Sequence, residues 1–301
     1  MKNSKIKLLF AFLIFANAIF SQSKNEKNNF KPIYVGFSIS MFNDVDIRDA
    51  TAAIKMWGNE LLKGMNTQYT PESNIYESNA EIVEALNSRK IDLIALPITD
   101  YLEISNKTEV EPTLTTMVNG KPGYEFIIVV RKDKNYKKLE DLKNTTINIP
   151  SKTSGSIVKI WLTVLLNEKG KNFDKFFTEV RETEKPQKSL LPVFFNQVDA
   201  CVVSAESFNT MLELNPQLKN ELTIIEKSPV FLGGIMCLNK SIDPQLKKSL
   251  FDVGFKLDKT VSGKQILNLF KAEKLIRFEE MHLKNILELT EKYSKIKKKK
   301  S

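Results

Sequence analysis

Short apolar runs alternate with stretches of helical period along most of this chain. "IYVGFS" (33–38) predicts a buried strand that begins just after Pro32. In 49–65, Ala50, Ile54, Trp57 and Leu61 recur at offsets 0, 4, 7 and 11, one face of a helix. "TQYTP" (67–71) predicts a short strand, 79–90 a second helix, and "IDLIAL" (91–96) a continuous apolar strand. Apolar strands separated by helices imply a mainly parallel sheet with both faces covered. Two extended runs follow, 110–118 and 124–132, split by the turn signal "NGKPG".

A second unit then begins, with a short helix at 139–144 and the strand "TTINIP". The next helix, from about 154 to 168, carries Ile157, Ile160, Trp161, Val164 and Leu165 at core spacing. "KSLLPVFFN" predicts a helix disturbed by Pro192, and "VDACVV" (198–203) a buried strand. Two strands are expected in 222–240, and helices over 243–258, 261–270 and about 279–295. One plan occurs twice. "ALNSRKIDLIALPITDYLEI" and "PVFFNQVDACVVSAESFNTM" each read as helix, tight turn, Ile/Val-Asp, apolar strand, then a polar cluster opening a helix. Two α/β lobes of similar build produce such an echo. The chain is expected to cross between them near 116–124 and to return near 226–232. That places 31–117 and 231–301 in lobe 1 and 122–228 in lobe 2.

The first residues stand apart. Lys2, Lys5 and Lys7 precede an apolar stretch, and Ala16-Asn17-Ala18 resembles a small-residue cleavage site. Residues 1–21 therefore read as a cleaved secretory signal. The apolar run is too short to span a bilayer comfortably. No cysteine follows it, so lipid attachment there is not expected. The formal net charge of +9 shrinks once position is considered. Three positive charges belong to the leader and five to Lys295 and Lys297–Lys300, which leaves +1 on the body. A nearly neutral body gives no footprint for nucleic acid, and the terminal charge block reads as a solvated tail.

The chain has two cysteines, Cys201 and Cys237, both inside apolar runs, and one histidine, His282. Together they make no zinc ligand set. No phosphate loop or dinucleotide fingerprint occurs, and no carboxylate pair stands out from surface charge. Neither catalysis, nor a metal, nor a cofactor is therefore expected.

In open α/β sheets ligands lie beyond the carboxyl ends of the strands. Three such ends carry polar side chains here. Ser38 and Ser40 follow the first strand, and Thr99, Asp100 and Tyr101 follow 91–96. Ser151, Thr153, Ser154, Gly155 and Ser156 open the helix after "TTINIP". The first N–H groups of a helix lack intrahelical acceptors, and the dipole makes that end positive. Hydroxyls add donors, and a glycine opens the backbone to an anion. One hydroxyl would suffice for capping, so four point to a bound carboxylate or phosphate-like group. Ser204, at the equivalent strand end of lobe 2, joins the candidate set. Asp100 and Glu206 also suit helix N-capping.

The chain resembles the phosphate/phosphonate-type periplasmic substrate-binding proteins of ABC transporters. The segments carrying this are "YVGFSIS", "NAEIVEALNSRKIDLIALPITDYLEI", "GYEFIIVVRKD", "LEDLKNTTINIPSKTSGS", "LPVFFNQVDACVV" and "IIEKSPVFLGGIMC". The resemblance implies a two-lobed type II periplasmic-binding-protein fold. Each lobe is then a mixed, mainly parallel sheet flanked by helices, and two hinge strands join the lobes. It implies that Thr153, Ser154 and Gly155 clamp an anionic head and that Tyr101 walls the site. In place of a helix-head tyrosine stands Asn79, and in place of a Gly-Ser-His element stand Glu184-Lys185-Pro186. The expected function is capture of a small anionic solute by lobe closure, as a monomer, for an ABC permease. The alternative is sensing for a membrane signalling protein without transport.

Overall fold

The computed structural model describes residues 31–42, 47–64, 69–270 and 272–300. The expected signal segment, 1–21, lies outside them. β1 (Lys31–Ser38), α1 (Ile47–Gly64), β2 (Tyr69–Tyr76), α2 (Asn79–Asn87), β3 (Leu93–Pro97) and α3 (Ile98–Ile104) alternate as the periodicity predicts. β4 (Val110–Met117) then leads into β5 (Tyr124–Arg131), which belongs to a second sheet. That half continues through β6 (Thr146–Pro150), α4 (Lys152–Glu168), β7 (Glu179–Thr183) and α5 (Pro186–Phe194). It ends with β8 (Ala200–Ser204), α6 (Ala205–Leu214), α7 (Gln217–Glu221) and β9 (Leu222–Phe231). β10 (Gly234–Asn239) returns to the first sheet, followed by α8 (Pro244–Gly254), α9 (Val261–Leu269), β11 (Lys274–Arg277) and α10 (Lys284–Lys300).

The strand orders are β11-β4-β10-β3-β1-β2 and β7-β6-β8-β5-β9. In each sheet parallel pairing is confined to one half. β1 pairs in parallel with β2 and β3, and β6 with β7 and β8. β10 is antiparallel to β3 and β4, and β5 is antiparallel to β8 and β9. The cause lies in the connections. Helical crossovers return a strand in the same direction, whereas the chain moves between sheets without one and pairs antiparallel.

The repeated plan is realised in α2–β3–α3 and α5–β8–α6, and it extends to one carboxylate in each. Asp92 Oδ2 accepts the Tyr34 N–H at 2.8 Å, near the start of β1. Asp199 Oδ2 accepts the Thr146 N–H at 2.9 Å, at the start of β6. Each aspartate thus ties the amino end of its own strand to that of the parallel neighbour, on the edge away from the cleft.

The terminal helix departs from expectation. It is helical through Lys300, and Ile286, Leu289, Tyr293 and Ile296 form its apolar stripe. It packs along α4 of the second lobe. Lys292 Nζ meets Glu168 at 2.6 Å, and Asn285 Nδ2 donates to the Val230 carbonyl at 2.9 Å. β7 and β11 are further additions to the predicted elements. Both lie at sheet edges: β7 is mostly exposed and charged, and β11 has only two apolar residues, Leu275 and Ile276, too few to show a strand period. Cys201 on β8 and Cys237 on β10 are buried, unpaired and in different sheets. Burial pushes both thiols well up.

Candidate ligand cleft

The carboxyl ends of the parallel strands in both sheets open onto one cavity of about 330 Å³. In the first lobe, β1 ends at the buried Ser38 and passes into a single 3-10 turn, Ile39–Phe42. The Ser40 N–H donates to Ser38 Oγ at 3.2 Å, and Ser38 Oγ donates to Asp100 Oδ2 at 2.6 Å. Thr99 Oγ1 reaches Asp100 Oδ1 at 3.4 Å. Ser38, Thr99 and Asp100 therefore form a brace between the end of β1 and the start of α3. Within this set it is Ser40 that lines the cleft.

Neither Asn79 nor Tyr101 lies on the cavity wall. Asn79 Nδ2 donates to Glu103 Oε2 at 2.8 Å on an exposed face of α2. Tyr101 packs against the main apolar core, where burial above all, then Cys237 and Glu280, raise its phenol pKa. Asp100 makes no N-cap bond. Pro97 holds that position without a side-chain bond, and the Ile98 N–H donates to the Gly233 carbonyl at 3.0 Å.

The second lobe presents three helix starts to the cavity. β6 ends at Pro150, and Ser151 is the N-cap of α4. Its own N–H donates to the Thr183 carbonyl at 2.9 Å, and its side chain makes no cap bond. The first helical bond runs from the Gly155 N–H to the Ser151 carbonyl at 3.2 Å. The N–H groups of residues 152–154 thus have no acceptor within the helix. The side chains of Thr153 and Ser154 lie outside the described residues. Gly155 is buried and has a packing reason: a Cβ there would sit 2.2 Å from the Pro150 carbonyl oxygen. The absent side chain lets α4 start directly off the strand.

β7 ends at Thr183, and α5 begins at Pro186 with Lys185 as its N-cap. Proline costs nothing here, since the first-turn N–H would lack a partner anyway. β8 ends at Ser204, whose Oγ accepts the Ser207 N–H at 3.1 Å and donates to Ser207 Oγ at 2.9 Å. Ser151, Lys185 and Ser204 all face the cavity. Each helix start carries roughly half an elementary positive charge. Glu184 and Glu206 line the same wall, and Glu184 pairs loosely with Lys188 at 4.0 Å.

Ser40, Ser151 and Ser204 are thus brought together from sites 53 to 164 residues apart in sequence. The Glu184-Lys185-Pro186 segment was not among the expected ligand residues. Its signal was local and legible: a strand end, a lysine and a proline ready to begin a helix.

The first-lobe wall is apolar and aromatic. Phe37 stacks edge-on to Trp57 at 5.8 Å between centroids, and Phe42 links Phe37 (6.0 Å) to Phe270 (5.9 Å). Phe37 and Trp57 are legible in the sequence only as core, since each falls on the apolar face of its own element, one a strand and the other a helix. Among the described residues there is no group of three or more acidic, cysteine or histidine side chains suited to a metal ion. No described helix is long and apolar enough to cross a membrane.

Residues 40–284 match the family described as the periplasmic substrate-binding protein of the phosphonate ABC transporter. The "Phosphonates-binding periplasmic protein" of Escherichia coli K12 is 24% identical over 196 residues. That match takes in 62% of this chain and spans 56% of the relative's length. Two solved structures share the fold. PhnD1 from Prochlorococcus marinus, in complex with methylphosphonate, superposes with a TM-score of 0.62 at 20% identity. It covers 89% of this chain and 100% of that one. A binding protein component of an ABC phosphonate transporter from Pseudomonas aeruginosa gives 0.58 at 19%, covering 86% and 85%. Two mixed sheets, two direct crossings and a cleft at the strand ends agree with that likeness, and the chain belongs to the family of periplasmic substrate-binding proteins of phosphonate ABC transporters.

Proposed function

We propose that this protein captures a small anionic solute, phosphonate-like in its head group, between its two lobes and delivers it to an ABC permease. One observation carries the reading. Three helix starts of the second lobe converge on one cavity, with Lys185 beside them. The three helix starts and Lys185 set roughly two and a half positive charges against the two carboxylates of Glu184 and Glu206, and the start of α4 adds N–H donors without intrahelical acceptors. A tetrahedral anion has acceptors on every side and suits such a wall. Ser40 supports the head group from the opposite lobe, and Ser151 and Ser204 contribute hydroxyls. Thr153 and Ser154 join through their backbone N–H groups.

The connections support closure. The lobes are joined by the β4–β5 and β9–β10 passages, so a ligand touching both walls favours the closed arrangement. The family's place in transport makes a permease the natural partner. The test is a thermal-shift and calorimetric screen over phosphate, phosphite, alkylphosphonates, sulfonates and carboxylates. A stabilised, saturable complex with at least one phosphonate is expected. A flat response across every anion would overturn the reading.

A further inference from the structure

The cavity wall is divided by lobe. The charged residues lining it, Glu184, Lys185 and Glu206, all belong to the second lobe. The first lobe contributes a charge-free wall, chiefly Phe37, Met41, Trp57, Leu267 and Phe270. Phe37, Trp57 and Leu267 are closed into that lobe's own core and back the wall, and Met41 and Phe270, only partly buried, are the apolar side chains it presents to a ligand. A ligand that was all head group would leave this wall against water or empty. Either arrangement forgoes the contacts that close packing supplies.

Size points the same way. A cavity of about 330 Å³ holds roughly ten water-sized groups. A phosphate-like head uses about half of that. We propose that the natural ligand is an amphiphilic anion, its head on the helix starts of the second lobe and its apolar tail of about four to eight carbons against the aromatic wall of the first. This rests on the anion-binding reading above and adds the substituent. Binding from both lobes also explains what closure would gain: head and tail each engage a different lobe, so only the whole ligand bridges them.

The experiment is calorimetry on the intact mature chain with methyl-, butyl- and hexylphosphonate, together with hexan-1-ol and 6-aminohexylphosphonate. Affinity is expected to rise about three- to fourfold per methylene from methyl to hexyl. The amino-terminated compound is expected to bind more weakly than hexylphosphonate, because its ammonium would enter the apolar wall. Equal affinity along the series overturns the proposal while leaving the anion reading standing. Tighter binding of the amino compound also overturns it, and assigns the tail to Glu206. Hexan-1-ol binding as tightly as hexylphosphonate removes the head-group reading and this proposal with it. In Met41→Asp the hexyl-over-methyl preference is expected to fall at least tenfold. The wild-type series decides the matter should that variant not fold.

Discussion

Ser38 Oγ donates a 2.6 Å hydrogen bond to Asp100 Oδ2, across 62 residues of sequence, and so joins the ends of two parallel strands at the cleft rim. Asp100 is a positioning residue: its partners are Ser38 and Thr99, and neither Oδ atom turns to the cavity wall. Replacing Asp100 by Ala leaves the buried Ser38 hydroxyl without its acceptor, at a cost of about 1–3 kcal/mol. The turn carrying Ser40 should loosen as well. Urea unfolding and calorimetry check both, and Asp100→Asn, which keeps an acceptor oxygen, should recover most of the stability.

Gly155 is predicted to tolerate no side chain. Its Cβ would meet the Pro150 carbonyl oxygen at 2.2 Å, so backbone must move. Gly155→Ala should cost about 1–3 kcal/mol through overpacking and shift the exposed N–H groups of residues 152–154. Ligand affinity should fall more than stability alone explains, measured at a temperature where the variant is fully folded. Ala in place of Gly123 tests the first passage between lobes in the same way. It has φ of +140°, and a Cβ there would lie 2.1 Å from the Phe231 carbonyl oxygen.

Two charges on the second-lobe wall should act in opposite directions. Lys185→Ala should weaken anion binding by about tenfold at low salt, and raising the ionic strength should shrink the difference, because the lysine is exposed. Glu206→Gln removes a negative charge from the same wall and should tighten anion binding by a few-fold. Titrations at two salt concentrations check both signs.

The paired aspartates of the structural repeat should differ in their response to pH. Burial raises the Asp92 pKa, and the single Tyr34 N–H does not offset it. Burial also pushes Asp199 upward, but the Thr146 N–H and hydroxyl and the Tyr136 hydroxyl together hold it below the ordinary value. The Asp199 contribution is therefore present above the unfolded carboxylate pKa, about 4, and is lost as pH falls through its lower folded value. For Asp92 the sign is reversed. A penalty for the buried charge is absent well below about pH 4 and complete above its raised folded value. Asp92→Asn should equal or exceed the wild type at neutral pH and lose that advantage in acid. Asp199→Asn should be less stable at neutral pH by about 1 kcal/mol, the gap closing in acid. Urea midpoints across pH 3 to 7 decide it.

The local order of elements was determined by sequence alone. Apolar runs such as 33–38 and 198–203 and the stripe on 154–168 need only the period of a strand or a helix, and that information is local. The same holds for the doubled helix–strand–helix plan and for the hydroxyl-rich start of α4. Tertiary structure decided what faces the cavity. Thr99 and Asp100 sit two and three residues beyond the cleft-lining Pro97, yet the bond to Ser38 turns them into a brace. Tyr101 is carried by the turn of α3 against the core, half-buried, and Gly155 serves a helix start against a carbonyl. The aromatic wall was invisible because a residue lining a buried cavity and a residue filling a core have the same hydrophobic period. They differ in whether another part of the chain arrives to fill the space, and that depends on contacts between residues far apart in sequence.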